Sequence, residues 1–474
     1  MQTLLWFRGK DLRLHDHPAL ADSLVRGTVL AVFVLDPFFF SREKACEFPH
    51  RIQFLLESLV ELQRAIEARG SRLFVVPGKS MDAIPQLAEA WGVERVAALR
   101  WTEPFARKRD RLVAERLSVP FDLYEGETLH RPGTLRTGAG APYRVFTPFS
   151  RAFWSQAKIG EPLSRPERLP PPPADVTTRT TAVPDMEDLG LKRNAKIQTG
   201  GEVAARERLE RFLEEAAAHY DQTRNRMDLA GTSRLSADIK FGTLSVRTVW
   251  TEVHRRFGDT SAGRSYLNEL IWREFTHSTL WDRPEALKEP LRPEFVDFPW
   301  RFDERLWTAW ESGLTGYPVV DAASRQLRAE GFVHNRARMV HAAFLTKHLL
   351  IDYRFGEAHY MKYLTDGDWA QNNAGWQWSA GCGYDAQPYF RVFNPTTQGK
   401  KFDPSGDYVR RWIPELRELP PEYCHEPWLA PPVIAGSAGV RIGADYPAPV
   451  VDHKEARERF LTLAKSHLQR ANYS

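Results

Sequence analysis

Asp366 through Asp385 gathers Trp369, Trp376 and Trp378, the acids Asp366 and Asp368, and the amides Asn372 and Asn373 within twenty residues. An ordinary core does not require that mixture. Large π-systems beside acids and amides are the groups that hold a planar redox cofactor and move electrons to and from it. Trp376 and Trp378 are two apart, so on a helix they point to roughly opposite sides. One is then available to a cofactor and the other to an entering substrate. Asp366 and Asp368 also flank Gly367, and a helix start would use either acid as a cap.

Gly231-Thr-Ser-Arg-Leu-Ser236 follows Tyr220 by a loop length and offers hydroxyls, a guanidinium and the backbone N–H groups of a turn. Those groups bind a pyrophosphate, and a plain capped helix start would use them too. Glu269, Trp272 and Arg273 fall at i, i+3 and i+4, one face of a helix. An acid, an indole and a guanidinium there are costly to bury without partners, although a mutually paired Glu269 and Arg273 on a solvated face fits the spacing as well. Asn335, Arg338 and Met339 repeat the spacing, and two such helices can form a pocket. His334, His341 and His348 recur at seven-residue intervals, whereas helical metal ligands stand three or four apart. No zinc, Walker A or nucleophile-elbow motif occurs, and no metal is expected.

These residues need a large scaffold. A chain of 474 residues exceeds one compact core. Its 42% hydrophobic and 27% charged residues place it with soluble globular proteins. Of 15 tryptophans, 11 lie after residue 200, where flat ligands or bases would be gripped. A net charge of +4 permits nucleic acid without requiring it. Cys46, Cys382 and Cys424 show neither a disulfide framework nor ligand spacing, so a reducing cytoplasm is expected. The first residues lack a secretory h-region, and no apolar run approaches the ~18 residues of a membrane span.

The hydrophobic rhythm predicts strands over 3–8, 28–35, 72–76, 95–99 and 121–124. Helices over 50–69 and 81–91 separate them, giving a parallel doubly wound α/β sheet domain over residues 1–130. Arg8-Gly-Lys-Asp-Leu-Arg13 stands where a dinucleotide fingerprint would follow the first strand. Residues 131–200 form the expected linker, whose proline-rich part from 160 onward is stiff, extended and exposed. Residues 201–474 read as a mostly helical domain, with helices over 202–219, 247–257, 264–279, 318–329, 336–350 and 357–364. Asp452 and Glu455 would cap a last helix.

Taken together, the sequence resembles the DNA photolyase and cryptochrome family over nearly the whole chain, most like a bacterial cyclobutane pyrimidine dimer photolyase. The carriers are Trp6-Phe-Arg-Gly-Lys-Asp-Leu-Arg-Leu-His-Asp16, Gly231-Thr-Ser-Arg-Leu-Ser236, Asn268-Glu-Leu-Ile-Trp-Arg-Glu-Phe275, Thr315-Gly-Tyr-Pro-Val-Val-Asp-Ala322, Asn335-Arg-Ala-Arg-Met339, the Asp366–Asp385 segment and Phe393-Asn-Pro-Thr-Thr-Gln-Gly-Lys-Lys-Phe402. The resemblance implies an α/β antenna domain and a C-terminal helical FAD-binding domain. It implies light-dependent repair of pyrimidine dimers by an electron from excited, reduced FAD. Tyr220, Thr232, Ser233, Arg234, Leu235 and Ser236 match the phosphate-holding positions. Arg273, Asn335, Arg338, Asp366, Gly367, Asp368 and Asn372 match flavin-contacting ones, with Asn372 beside flavin N5. Glu269, Trp272, Arg273, Asn335, Arg336, Met339 and Trp378 match the lesion pocket.

Trp376, Tyr353 and Trp300 match the family's photoreduction chain, with a tyrosine where a tryptophan is usual; Trp310 is a further candidate. A tyrosine is harder to oxidise without a proton acceptor. The other family readings are a signalling cryptochrome, a single-strand-preferring DASH type and a (6-4) photolyase, which usually carries histidines where Asn335 and Met339 stand. Phe105-Ala106 replaces the Asn-Glu of many folate-binding members, so the antenna stays open between a deazaflavin, a flavin, methenyltetrahydrofolate and none. Val34-Leu-Asp-Pro37 ends a strand where doubly wound sheets bind ligands. The implied partner is damaged double-stranded DNA, bound by a monomer, with no membrane.

Overall fold

A computed structural model describes residues 1–471 and divides the chain into two compact units. The first comprises Met1–Asp221, Thr232–Pro284 and Thr365–Ala370. The second comprises Gln222–Gly231, Glu285–Leu364 and the chain from Gln371 onward.

The first unit is built on a parallel sheet of β1 (Gln2–Phe7), β2 (Thr28–Leu35), β3 (Leu73–Pro77), β4 (Arg95–Leu99) and β5 (Phe121–Tyr124) in the order β3-β2-β1-β4-β5. Register is set by pairs such as Gln2 with Thr28, Ala31 with Leu73, Thr3 with Arg95 and Val96 with Phe121. Both faces are covered, as apolar parallel strands require. Leu5 and Phe7 join Phe33, Leu55, Leu59 and Phe241 on one side, whereas Leu4 and Trp6 join Val32, Phe74, Ile84 and Leu87 on the other. The strand order reverses between β1 and β4, so the carboxyl ends of these strands flank the topological switch point.

The residues after β1 carry charge into the interior. Arg8, Lys10, Asp11, Arg13, Asp16 and His17 are all buried. Arg8 Nη1 donates to both carboxylate oxygens of Asp110, at 2.8 and 3.0 Å. Arg13 donates to the Asp16 and Gly242 carbonyls, and Asp16 accepts from Arg247 and from the Ser245 hydroxyl. Gly242 ends the helix Ser236–Phe241 at φ 64°, and a Cβ there would lie 2.0 Å from the Lys10 carbonyl oxygen. Glycine is therefore required twice over, for the left-handed turn and for the close approach.

The proline-rich stretch corrects one expectation. It has no helix or strand, yet it is not wholly exposed: Leu169, Met186 and Leu189 are buried against the Phe33 side of the sheet. Its backbone is also pinned, with Leu169 N donating to Arg69 O and Thr181 N to Val75 O, both at 2.9 Å. A few widely spaced apolar residues are enough to lay an extended chain onto a core.

In the second unit, helices Glu304–Ser312, Pro318–Glu330, Asn335–Ala343, Tyr353–Tyr363 and the C-terminal His453–Ala471 surround Trp310, Phe344, Tyr360, Tyr408 and Phe460. The helix expected over 336–350 stops earlier. It ends at Ala343 and widens into a π-turn over Phe344–His348, before Leu350 turns left-handed at φ 58°. Asp321 closes the Thr315–Ala322 motif by accepting from Thr315 N, Thr315 Oγ1, Gly316 N and the Tyr446 hydroxyl. Asp452 caps the last helix through Glu455 N at 2.9 Å, as its spacing predicts.

Gly242→Ala should lower the unfolding free energy by about 2–4 kcal/mol, since it adds both backbone strain and overpacking. Chemical denaturation of variant and parent reads the difference, and an unchanged midpoint would contradict the close approach.

Candidate cofactor and nucleic-acid site

In the first unit, Tyr220 is buried edge-on to Tyr266, with ring centroids 5.0 Å apart. The Tyr266 hydroxyl donates to Ser233 Oγ at 2.9 Å. Arg234 adopts φ 53°, and Ser236 begins the helix Ser236–Phe241. Thr232 to Ser236 thus form a turn whose hydroxyls and backbone amides are gathered at one place.

The helix Ser261–Asp282 carries Glu269, Trp272 and Arg273 within little more than one turn. Trp272 lies flat on Phe146, with centroids 3.7 Å apart and an interplanar angle of 5°. One face of the indole is therefore fixed by an aromatic platform. Arg273 is buried, and its ion pair is with Glu274 at 3.5 Å. Its Nε has no acceptor among the described residues, which leaves a buried donor for a ligand. Burial, outweighing Arg273 and the backbone N–H groups of Leu129 and His130, pushes Glu274 up to about 7.

Asp366, Gly367 and Asp368 are buried in the segment Thr365–Ala370 of the same unit. Asp368 Oδ2 lies 3.2 Å from Lys10 Nζ, and the same ammonium contacts Glu103 and Glu127. Glu127 Oε2 accepts from Thr102 N and Thr102 Oγ1, each at 2.7 Å. With the Thr102 hydroxyl thus donated, His277 Nδ1 at 2.9 Å must carry a proton and donate to Thr102 Oγ1. Burial and then Arg273 push His277 down to about 4, so the ring is neutral. Burial lowers Lys10, but the three carboxylates outweigh it and hold the ammonium well above its ordinary range. Burial raises Glu103, helped by the other acids, whereas at Glu127 burial is outweighed by Lys10 and the other basic neighbours together, which hold it down. Glu127, His277 and Asp368 could together reach one metal ion, but the Lys10 ammonium already bonds two of them.

In the second unit, Asn335 Nδ2 approaches Met339 Sδ at 3.9 Å. Arg336 bonds Asn225 at 2.7 Å and covers Phe402 at 4.4 Å, and Arg338 Nε donates to Val333 O. Asn372 Nδ2 donates to Glu357 O at 3.1 Å. Asn373 holds the Glu357 carboxyl, which burial pushes up to about 7.

On the helix Trp369–Ala380, Trp376 is buried and Trp378 half-buried, as their two-residue spacing predicts. Gly356 makes room for Trp376: a Cβ there would lie 2.1 Å from the indole. Trp376 packs edge-on to Trp310 at 6.1 Å and to Tyr360 at 5.1 Å. Trp310 in turn lies 5.3 Å from Trp307. Trp300 packs on Phe298 at 4.3 Å. The Tyr353 hydroxyl is buried without a hydrogen-bond partner among the described residues, and burial raises it far above its ordinary range. The histidine series resolves into separate roles. His341 bonds Ser324 and Tyr360 and stacks on Trp310, and His348 pairs with His453.

Phe146, Lys10, Glu127, His277 and Trp307 escaped the sequence reading. Only Lys10 lay in a string already singled out, the one following the first strand.

Residues 3–173 match the family model described as DNA photolyase, and residues 266–466 match that described as the FAD binding domain of DNA photolyase. The chain belongs to the DNA photolyase family. This photolyase chain is 40% identical to a deoxyribodipyrimidine photo-lyase of Thermus thermophilus over 98% of each chain. It is 37% identical to that of Escherichia coli over 97% of each. Among solved structures it resembles a bacterial class III photolyase from Agrobacterium tumefaciens, with a TM-score of 0.91, 35% identity and coverage of 99% and 98% of the two chains. It also resembles a Synechocystis cryptochrome, with a TM-score of 0.89, 31% identity and coverage of 98% and 99%.

Removing the Phe146 ring should loosen Trp272. Phe146→Ala is expected to lower stability by about 1 kcal/mol, the worth of one stacked pair, and to shift tryptophan emission. Emission and denaturation midpoint both unchanged would contradict the platform.

Proposed function

We propose that the chain repairs cyclobutane pyrimidine dimers in double-stranded DNA by the photolyase reaction, with FAD as its cofactor. When bound and reduced, FAD supplies on illumination the electron that opens the cyclobutane ring and afterwards returns. Residues 1–130 would form the antenna domain, 131–200 the linker, and 201–474 the FAD- and DNA-binding domain.

The residues present fit that cofactor. Tyr220 and the turn Thr232, Ser233, Arg234, Leu235 and Ser236 supply hydroxyls and amides for the phosphates. Arg273, whose buried Nε lacks an acceptor among the described residues, supplies a donor. Asp366, Gly367 and Asp368 supply the acids and a side-chain-free position, and Asn335, Arg338 and Asn372 supply further polar contacts. Glu269, Trp272, Arg273, Asn335, Arg336, Met339 and Trp378 would hold the extruded dimer. Flipping a damaged step costs only a few kcal/mol, and each indole stacked on a base returns roughly 1 to 3 kcal/mol.

The observation that carries this reading is the helix Ser261–Asp282, with an acid, a platform-held indole and a buried guanidinium within little more than one turn. In its protonated form Glu269 would donate to a pyrimidine carbonyl as negative charge develops there. For electron supply, the contiguous indoles Trp376, Trp310 and Trp307 support a route that bypasses Tyr353, whose hydroxyl has no hydrogen-bond partner among the described residues to take its proton. The partner would be bound by a monomer. Among the described residues no helix is long and apolar enough to cross a membrane, and Cys46, Cys382 and Cys424 are free. A cytoplasmic setting accords with those thiols.

Two measurements test the reading. With FAD loaded and reduced, Glu269→Ala should repair an oligonucleotide carrying one thymine dimer about a hundredfold more slowly under blue light than the parent. Parental rates in the variant would remove Glu269 from the mechanism. Light-driven reduction of oxidised flavin should slow about tenfold in Trp310→Phe, roughly 1.4 kcal/mol of barrier, and stay unchanged in Tyr353→Phe. The opposite pattern would restore the Tyr353 route.

A further inference from the structure

In doubly wound sheets, the crevice outside the carboxyl ends of the strands at the switch point is where ligands bind. Here that place is taken by the protein's own side chains. Lys10 follows β1, Glu103 follows β4 and Glu127 follows β5, all three buried. Into the same group come His277 from the helix Ser261–Asp282 and Asp368 from the segment Thr365–Ala370. One ammonium bonds three carboxylates from separate stretches of chain. Such an arrangement adds little net stability, yet it fixes the relative position of its members strictly, because losing the cation strands buried negative charge.

We propose that Lys10 is a positioning residue for the cofactor: its ammonium, set at the switch point of the sheet, holds Asp368 and so fixes the Asp366-Gly367-Asp368 segment that carries the flavin-contacting acids. The backbone geometry supports it independently of charge. The Lys10 carbonyl presses against Gly242, and Leu12 N donates to Phe241 O at 3.3 Å, so the residue that aims the ammonium is clamped by the end of the helix Ser236–Phe241. That helix starts at Ser236, the last residue of the proposed phosphate turn. Thr102 and His277 complete the socket by holding Glu127 in place and keeping a neutral ring beside Asp368. The string that replaces a dinucleotide fingerprint after the first strand thus serves a cofactor without touching it.

The proposal rests on the FAD reading, and the two fail differently. The probe is FAD itself, measured by equilibrium dialysis against apoprotein of the full chain. Lys10→Ala removes the side chain beyond Cβ and leaves space for n-propylammonium, with 1-propanol as the uncharged control. FAD affinity should fall about tenfold or more in Lys10→Ala and recover with n-propylammonium but not with 1-propanol. Lys10→Ala/Glu103→Gln, which removes one charge of each sign, carries the same test if the single variant does not fold. Affinity within about twofold of the parent, no recovery with the amine, or equal recovery with the alcohol would overturn the role of Lys10. Failure of the parent to bind FAD would instead sink the functional reading.

Discussion

The first unit depends on the requirement that buried charge be paired. Six ionisable side chains between Arg8 and His17 lie at the carboxyl end of β1 with almost no solvent contact. Water cannot compensate them there, so each needs a partner in a particular place: Asp110 for Arg8, Arg247 and Ser245 for Asp16, three acids for Lys10. Those partners come from elements far along the chain. Satisfying them fixes where the helices around residues 236–282 must lie on the sheet domain, and with them the turn Thr232 to Ser236 and the Glu269–Arg273 face.

What could be read from the sequence follows the same physics. The strands over 28–35 and 95–99 occur at the expected bounds, because a strand buried on both faces is a short apolar run between breaks, and the half-buried edge strand over 121–124 also falls where expected. Trp376 and Trp378 separate into buried and half-buried positions because helical geometry alone decides it. The π-turn at Phe344–His348 was hidden, since its apolar residues continue the helical pattern and the widening is set by packing. The proline-rich stretch looked solvated because composition averages over Leu169, Met186 and Leu189, the few residues that anchor it.

The site was legible in part for a related reason. Glu269, Trp272 and Arg273 are close in sequence, so their spacing carries information. Lys10 and Asp368 are 358 residues apart, and no local pattern joins them. Phe146 beneath Trp272 was equally silent, being one aromatic residue among 27 phenylalanines until the fold laid it flat. At Tyr353 the sequence raised the question and the structure sharpened it: the hydroxyl is buried without an acceptor among the described residues, while the indoles of Trp310 and Trp307 continue from Trp376.

Light is the co-reactant that sets this chemistry apart from any other use of a flavin beside DNA. The most direct measurement places the parent protein, loaded with reduced FAD, on duplex DNA containing a single thymine dimer, and follows the restored thymines under blue light and in darkness. Restoration in light and none in darkness is the predicted result. Equal repair in darkness, or intact dimers after illumination of the loaded protein, would contradict it.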